Sequence, residues 1–227
     1  MDLHQETRAH HAMAAVGGFF GVYALLTRGG TFGSSETSNL IYLVVSGLDG
    51  TWGPVLVRLG ATACYIAGIV LAVLLRRAGK TALLRWAAVG ADLFACLALA
   101  RIPAETDPIL ALYPMFLATA VQWVAYSQAA GYNCATIFST NNLRQFTEGA
   151  TEYLCGHDPE QLRKLRFYGG TLLCFHLGAA WGWWCVGRWS IPGIYGCLPL
   201  LIPPAVFLIP KTRRPALTGP LDNPPKT

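Results

Sequence analysis

Apolar residues run along this chain in long blocks separated by short polar or basic connectors. A helix needs about 20 mainly apolar residues to cross the hydrocarbon core of a bilayer. Six blocks approach that requirement, at 11–27, 54–75, 82–100, 109–127, 167–187 and 191–210. The first is short and glycine-rich. The last contains Pro192, Pro199, Pro203 and Pro204, which remove helical hydrogen bonds and predict a kinked or interrupted span. Two segments depart from this pattern. Residues 33–48 (GSSETSNLIYLVVSGL) and 135–154 (ATIFSTNNLRQFTEGATEYL) each begin polar, fall between two spans, and are too short or too polar to cross.

Composition strengthens the membrane reading. Of the 227 residues 53% are hydrophobic and only 13% charged, and the mean hydropathy is +0.40. A soluble domain carries roughly 25% charged residues, so the missing polar coat points to lipid around most of the exterior. The net charge of +5 comes from basic runs between apolar blocks, not from a stripe interleaved with aromatics, so no nucleic-acid partner is expected. Those runs set orientation through the excess of Lys and Arg on cytoplasmic loops. Arg76, Arg77, Lys80 and Arg85, then Arg163, Lys164 and Arg166, then Lys211, Arg213 and Arg214 all fall inside if both termini are cytoplasmic. Residues 33–48 then begin and end outside, and residues 135–154 begin and end inside. No small-residue cleavage motif follows the first block, which reads as a retained span.

The chain also repeats itself. At an offset of 103, Tyr23, Thr37, Asn39 and Leu40 match Tyr126, Thr140, Asn142 and Leu143; at 110, Gly60, Cys64 and Gly68 match Gly170, Cys174 and Gly178. The glycine and cysteine positions recur at i, i+4 and i+8, one helical face whose small residues allow close approach in lipid. Three spans per half is an odd number, so the halves are inverted. The expected fold is therefore all-α and integral to the membrane, with about six transmembrane helices in two inverted three-span repeats, 11–100 and 109–210. Each repeat carries a short polar helix, re-entrant or interfacial. Residues 1–210 form a single membrane domain and 211–227 a disordered cytoplasmic tail.

Inverted repeats with interrupted helices place solute sites near the bilayer midplane in many transporters. The stretches at 34–39 and 139–142 supply hydroxyls and amides, and they resemble N-caps of the short helices that follow. If both re-enter, their positive dipole ends converge from opposite faces. Candidate solute-binding residues are Ser35, Glu36, Thr37, Asn39, Asp92, Gln122, Thr140, Asn142 and His176. Asp92, in the middle of the third span, costs at least about 2.5 kcal/mol to insert ionised. It reads either as a proton or cation relay or as a hydrogen-bonding partner of a neighbouring span. Arg58 could neutralise Glu36 or Asp92, or snorkel to the interface. His176 reads as a packed histidine bonding a neighbouring helix, and Trp181, Trp183, Trp184 and Trp189 as an interfacial belt. His4, His10 and His11 read as a frayed N-terminus, and the seven cysteines as small buried hydrophobes. No catalytic motif, metal site or cofactor site is expected.

A glycine-rich first span, the Phe-x-Ser-x-x-Thr-x-Asn segment from Phe32 to Asn39, and a degenerate second copy resemble the YoaK-like family of bacterial six-span membrane proteins, a domain of unknown function. The likeness covers about 11–210. Its Thr-Gly-Asn motif stands here as Thr37-Ser38-Asn39, and as Thr140-Asn141-Asn142 in the second copy. The resemblance implies a bacterial inner membrane and no established substrate. The residues themselves point to a small secondary transporter or channel for a small polar or ionic solute. The alternatives are a membrane assembly or interaction protein, or a membrane enzyme acting on a lipid or quinone. Expected partners are the bilayer, the solute and a homo-oligomer formed through small-residue faces.

Overall fold

The computed structural model describes residues 3–32 and 36–209. Ser35 and the 211–227 tail lie outside the described residues. Nine α-helices are described: α1 (Leu3–Thr27), α2 (Glu36–Leu48), α3 (Trp52–Arg77), α4 (Thr81–Leu99), α5 (Pro108–Ala111), α6 (Tyr113–Ala125), α7 (Thr140–Gly156), α8 (Pro159–Trp189) and α9 (Leu198–Leu208). A 3-10 helix, Ile191–Cys197, leads into α9, whose interior holds Pro203 and Pro204; the proline-rich block is interrupted as its sequence predicts. A hairpin pairing Gln128 with Asn133 and Ala129 with Tyr132 is the sole β-structure among the described residues.

Four helical segments are long and apolar enough to cross a membrane: α1, α3, α4 and Ile191–Leu208. The other two apolar blocks differ for local reasons. Residues 109–127 break at Leu112 into α5 and α6, the first opened by Pro108 with Asp107 capping its backbone amides. In α8, Glu160, Arg163, Lys164 and Arg166 occupy the first turns and make a long helix with a polar beginning. The fold is that of an all-α membrane protein, with leucines, isoleucines and valines exposed along α2, α3 and α9.

The helices pack in corresponding pairs: α1 lies against α8 and α9, α6 against α3 and α4, α2 against α3, and α7 against α8. Glycine sets the closest approaches. A Cβ on Gly178 of α8 would lie 2.0 Å from the Ala15 carbonyl oxygen of α1, and one on Gly68 of α3 would lie 2.6 Å from the Leu117 carbonyl oxygen of α6. Gly170 similarly admits the His11 ring, as Gly60 admits Tyr113. The core between them is mostly Ala, Phe, Met and Leu, from Ala9 and Met13 on α1 to Leu112 and Phe116 beside and on α6.

The stretch that holds His4, His10 and His11 is not frayed. It lies within α1, His10 is fully buried, and His11 meets the Phe167 carbonyl at 3.1 Å. Packing on α8 carries the helix well before the apolar block expected from residue 11. Cys96, Cys134, Cys185 and Cys197 are buried, Cys64 and Cys174 half-buried, and Cys155 exposed; all seven are free thiols.

Candidate functional site

Both polar segments return along α1 before their short helices begin. On one side, the Phe32 ring packs against Gly21, where a Cβ would lie 2.9 Å from it. On the other, the Thr136 carbonyl oxygen stands where a Cβ on Gly17 would reach within 2.0 Å. Gly17 and Gly21 are one turn apart, about 6 Å along the helix.

From there α2 runs back alongside α3. Asn39, buried on α2, donates from Nδ2 to Glu36 Oε1 (3.0 Å), the Arg58 carbonyl (3.1 Å) and Thr62 Oγ1 (3.1 Å). Arg58 Nη1 donates to Asn39 Oδ1 at 3.3 Å, and Thr62 Oγ1 donates to Glu36 Oε1. Thr62 lies ten residues into α3, so α2 begins about 15 Å along α3 from its start and ends near that start. In the second polar segment the bonds stay local. Asn142, also buried, donates to the carbonyls of Ala135 (2.6 Å) and Phe138 (3.0 Å) and accepts from the Ala135 amide. Phe146 of α7 touches Gly169 of α8, and Gly149 lies beside Gln161 and Leu165, so α7 likewise runs back along α8. The flanks differ. Leu40, Ile41, Val44 and Leu48 are exposed on α2, whereas Arg144, Glu148 and Glu152 are exposed on α7.

The expected site residues divide accordingly. Glu36 and Asn39 form one cluster and Asn142 belongs to another. Thr37 and Thr140 are exposed beside their respective asparagines. Gln122 joins the second cluster, donating from Nε2 to the Met13 carbonyl and to Thr136 Oγ1, both at 2.9 Å. Asp92 is fully buried and neither carboxyl oxygen has a partner among the described residues, so the hydrogen bond to a neighbouring span is not made. Arg58 neutralises neither carboxylate: its guanidinium lies 4.7 Å over the Tyr42 ring and bonds Asn39. His176 is exposed and its Nδ1 meets its own helix's Leu172 carbonyl at 2.7 Å, so it bonds no neighbouring helix; the i−4 carbonyl is the nearest acceptor on that outward face. Ser139 precedes α7 without capping it through its side chain, since Asn142 ties the chain back instead.

Sequence reasoning missed several buried polar residues. Tyr23 and Tyr126 were visible as a repeat pair, and both hydroxyls are buried with no hydrogen-bond partner among the described residues. His10 Nδ1 lies 3.4 Å from Cys134 Sγ, and Nε2 is unpartnered. Arg28 is buried at the end of α1 and donates to the carbonyls of Pro103 (2.7 Å) and Ile102 (2.9 Å). Its position directly after an apolar block was the available signal. Buried polar atoms are normally hydrogen-bonded, so unpartnered ones commonly mark a site for water or a ligand. Among the described residues no group of histidine, cysteine and acidic side chains could hold a metal.

Two recesses flank these clusters. One, of about 330 Å³, is bounded by Gly29, Thr31, Ser38, Asn39, Tyr42 and Arg58. The other, of about 620 Å³, lies at the start of α1 and α8, between His4, His11, Tyr132, Glu160, Arg163 and Arg166. There the Tyr132 hydroxyl donates to Glu160 at 2.8 Å. Burial and that bond push the phenol up to about 12, while the Tyr132 and Arg163 bonds hold Glu160 below the usual carboxylate range.

No curated protein and no solved structure matches the chain. A family model does match, over residues 10–209, in keeping with the resemblance drawn from the sequence. The chain belongs to the family described as "Protein of unknown function (DUF1275)".

Proposed function

We propose that this chain is a small secondary transporter or channel for a small polar or ionic solute, crossing a bacterial inner membrane six times with both termini cytoplasmic. The observation that carries the reading is the approach of Phe32 and Thr136 to α1 within one turn of each other, at Gly21 and Gly17. Two re-entrant segments arriving from opposite faces leave only a thin septum, as alternating access requires. The pairing of helices supports two inverted repeats: α1 meets α8 and α9 as α6 meets α3 and α4. Gly68 and Gly178, matched by sequence, each accept a backbone carbonyl of the first span of the other half. The unpartnered carboxyl of Asp92 supports a role as the group that carries a coupling proton.

The test is uptake into proteoliposomes across a panel of small solutes: acetate, sulfate, phosphate, ammonium, urea and glycerol. At least one should enter faster than into protein-free liposomes. Asn39→Ala and Asn142→Ala should return that rate to background while the variants still elute as folded protein. Background rates for every solute would overturn the reading.

A further inference from the structure

We propose that the recess beside α2 is a binding site for a small oxyanion or carboxylate, read by the Arg58 guanidinium. This rests on the transport reading for its purpose, because the recess lies at the mouth of the re-entrant segment that contains Phe32. The recess is about 330 Å³, at the small end of the roughly 300–1,000 Å³ typical of ligand pockets. Its boundary combines Arg58 with the hydroxyls of Thr31 and Ser38, which are donors suited to oxygen atoms.

Arg58 is prepared for such a ligand. Stacking over Tyr42 and the Asn39 bond hold the guanidinium plane, and among the described residues no carboxylate forms an ion pair with it. Its Nε is buried and unpartnered. A fixed guanidinium offers parallel N–H donors that match two oxygens of a carboxylate, sulfate or phosphate. Glu36, linked to Arg58 through Asn39, accepts from both Thr62 and Asn39 through Oε1, while its Oε2 is buried with no partner among the described residues. Arg58 lines the recess and carries no ion pair among the described residues, so the ligand its fork favours is an anion.

The experiment is equilibrium binding of radiolabelled sulfate, phosphate and acetate to the full chain in phosphatidylcholine nanodiscs at constant ionic strength. Saturable binding of at least one tracer is expected, weakened tenfold or more by Arg58→Gln and less by Arg58→Lys, which keeps the charge but loses the planar fork. Ser38→Phe, which fills the recess and leaves the partners of Arg58 in place, should also abolish binding and covers the case of a misfolded Arg58→Gln. No saturable binding, or equal binding in wild type and all three variants, overturns the site. Displacement of the tracer by phosphatidylglycerol added to the discs identifies a lipid headgroup as the occupant and overturns a soluble anion. Tracer uptake into proteoliposomes separates the two proposals. Binding without uptake of any solute keeps the site and refutes transport; uptake of an uncharged solute without anion binding does the reverse.

Discussion

Gly178→Ala tests how tightly the two halves are joined. The added Cβ would lie 2.0 Å from the Ala15 carbonyl oxygen and 2.7 Å from the Ala15 Cα, both backbone atoms that cannot swing aside. Ordinary contact begins near 3.4 Å, so α1 and α8 must part locally by about 1.4 Å. A gap of about 0.5–1 Å already forfeits a quarter to a half of the dispersion attraction between facing atoms. Overpacking of this kind costs about 1–3 kcal/mol, and the rigid backbone places Gly178 at the upper end. Replacing helical glycine with alanine returns about 1 kcal/mol of helix propensity. The expected net loss is about 2 kcal/mol, roughly a thirty-fold fall in the folded-to-unfolded ratio. SDS-induced unfolding in mixed micelles, followed by tryptophan fluorescence, measures it. Gly68→Ala should also lose stability, with the Leu117 carbonyl as its obstacle. Gly90→Ala, with no atom within 4 Å of its Cβ, should be neutral or gain about 0.5–1 kcal/mol. A Gly178→Ala protein as stable as Gly90→Ala would refute the backbone-on-backbone seam.

Other outcomes follow from single groups. Asp92→Asn removes a carboxyl that has no partner, so unfolding resistance should be kept or raised while proton-coupled uptake is lost; unchanged uptake would exclude Asp92 from coupling. Under native conditions a maleimide should label Cys155 quickly and Cys134 only after unfolding, as quantified by mass spectrometry; equal rates would contradict the burial of the 134–137 segment. Tyr132 and Arg163 lower the Glu160 pKa, so their stabilisation is complete above the ordinary carboxylate range and is lost as pH falls through the lowered value. Hydrogen exchange of the 128–133 hairpin should accelerate on that acid side, and Glu160→Gln should abolish the dependence; a hairpin insensitive to both would refute the tie to α8.

The sequence revealed the large features because they are periodic or compositional. Apolar blocks marked α1, α3, α4 and α9, prolines marked the 3-10 interruption before α9, and the offsets of 103 and 110 singled out Asn39, Asn142, Gly68 and Gly178. Partner choice was not legible. Asn39 and Asn142 are alike in sequence, yet one bridges to α3 and the other folds back on its own preceding loop. His176 and Asp92 both read as polar residues within spans, but helical phase places one outward and the other in the core. The depth of His10 depends on α8, a contact 157 residues away at Phe167 that no local pattern encodes.

The depth of the two polar segments tests the central proposal most directly. Spin labels at Phe32→Cys and Phe138→Cys, in a background lacking other reactive cysteines, report depth in the bilayer through power saturation with oxygen and a water-soluble nickel chelate. Phe32 packs at Gly21, and Phe138 follows within two residues of Thr136 at Gly17. The two depths should therefore agree within about 10 Å, both well inside the hydrocarbon. Depths at opposite interfaces, separated by the full hydrocarbon thickness of about 30 Å, would contradict it.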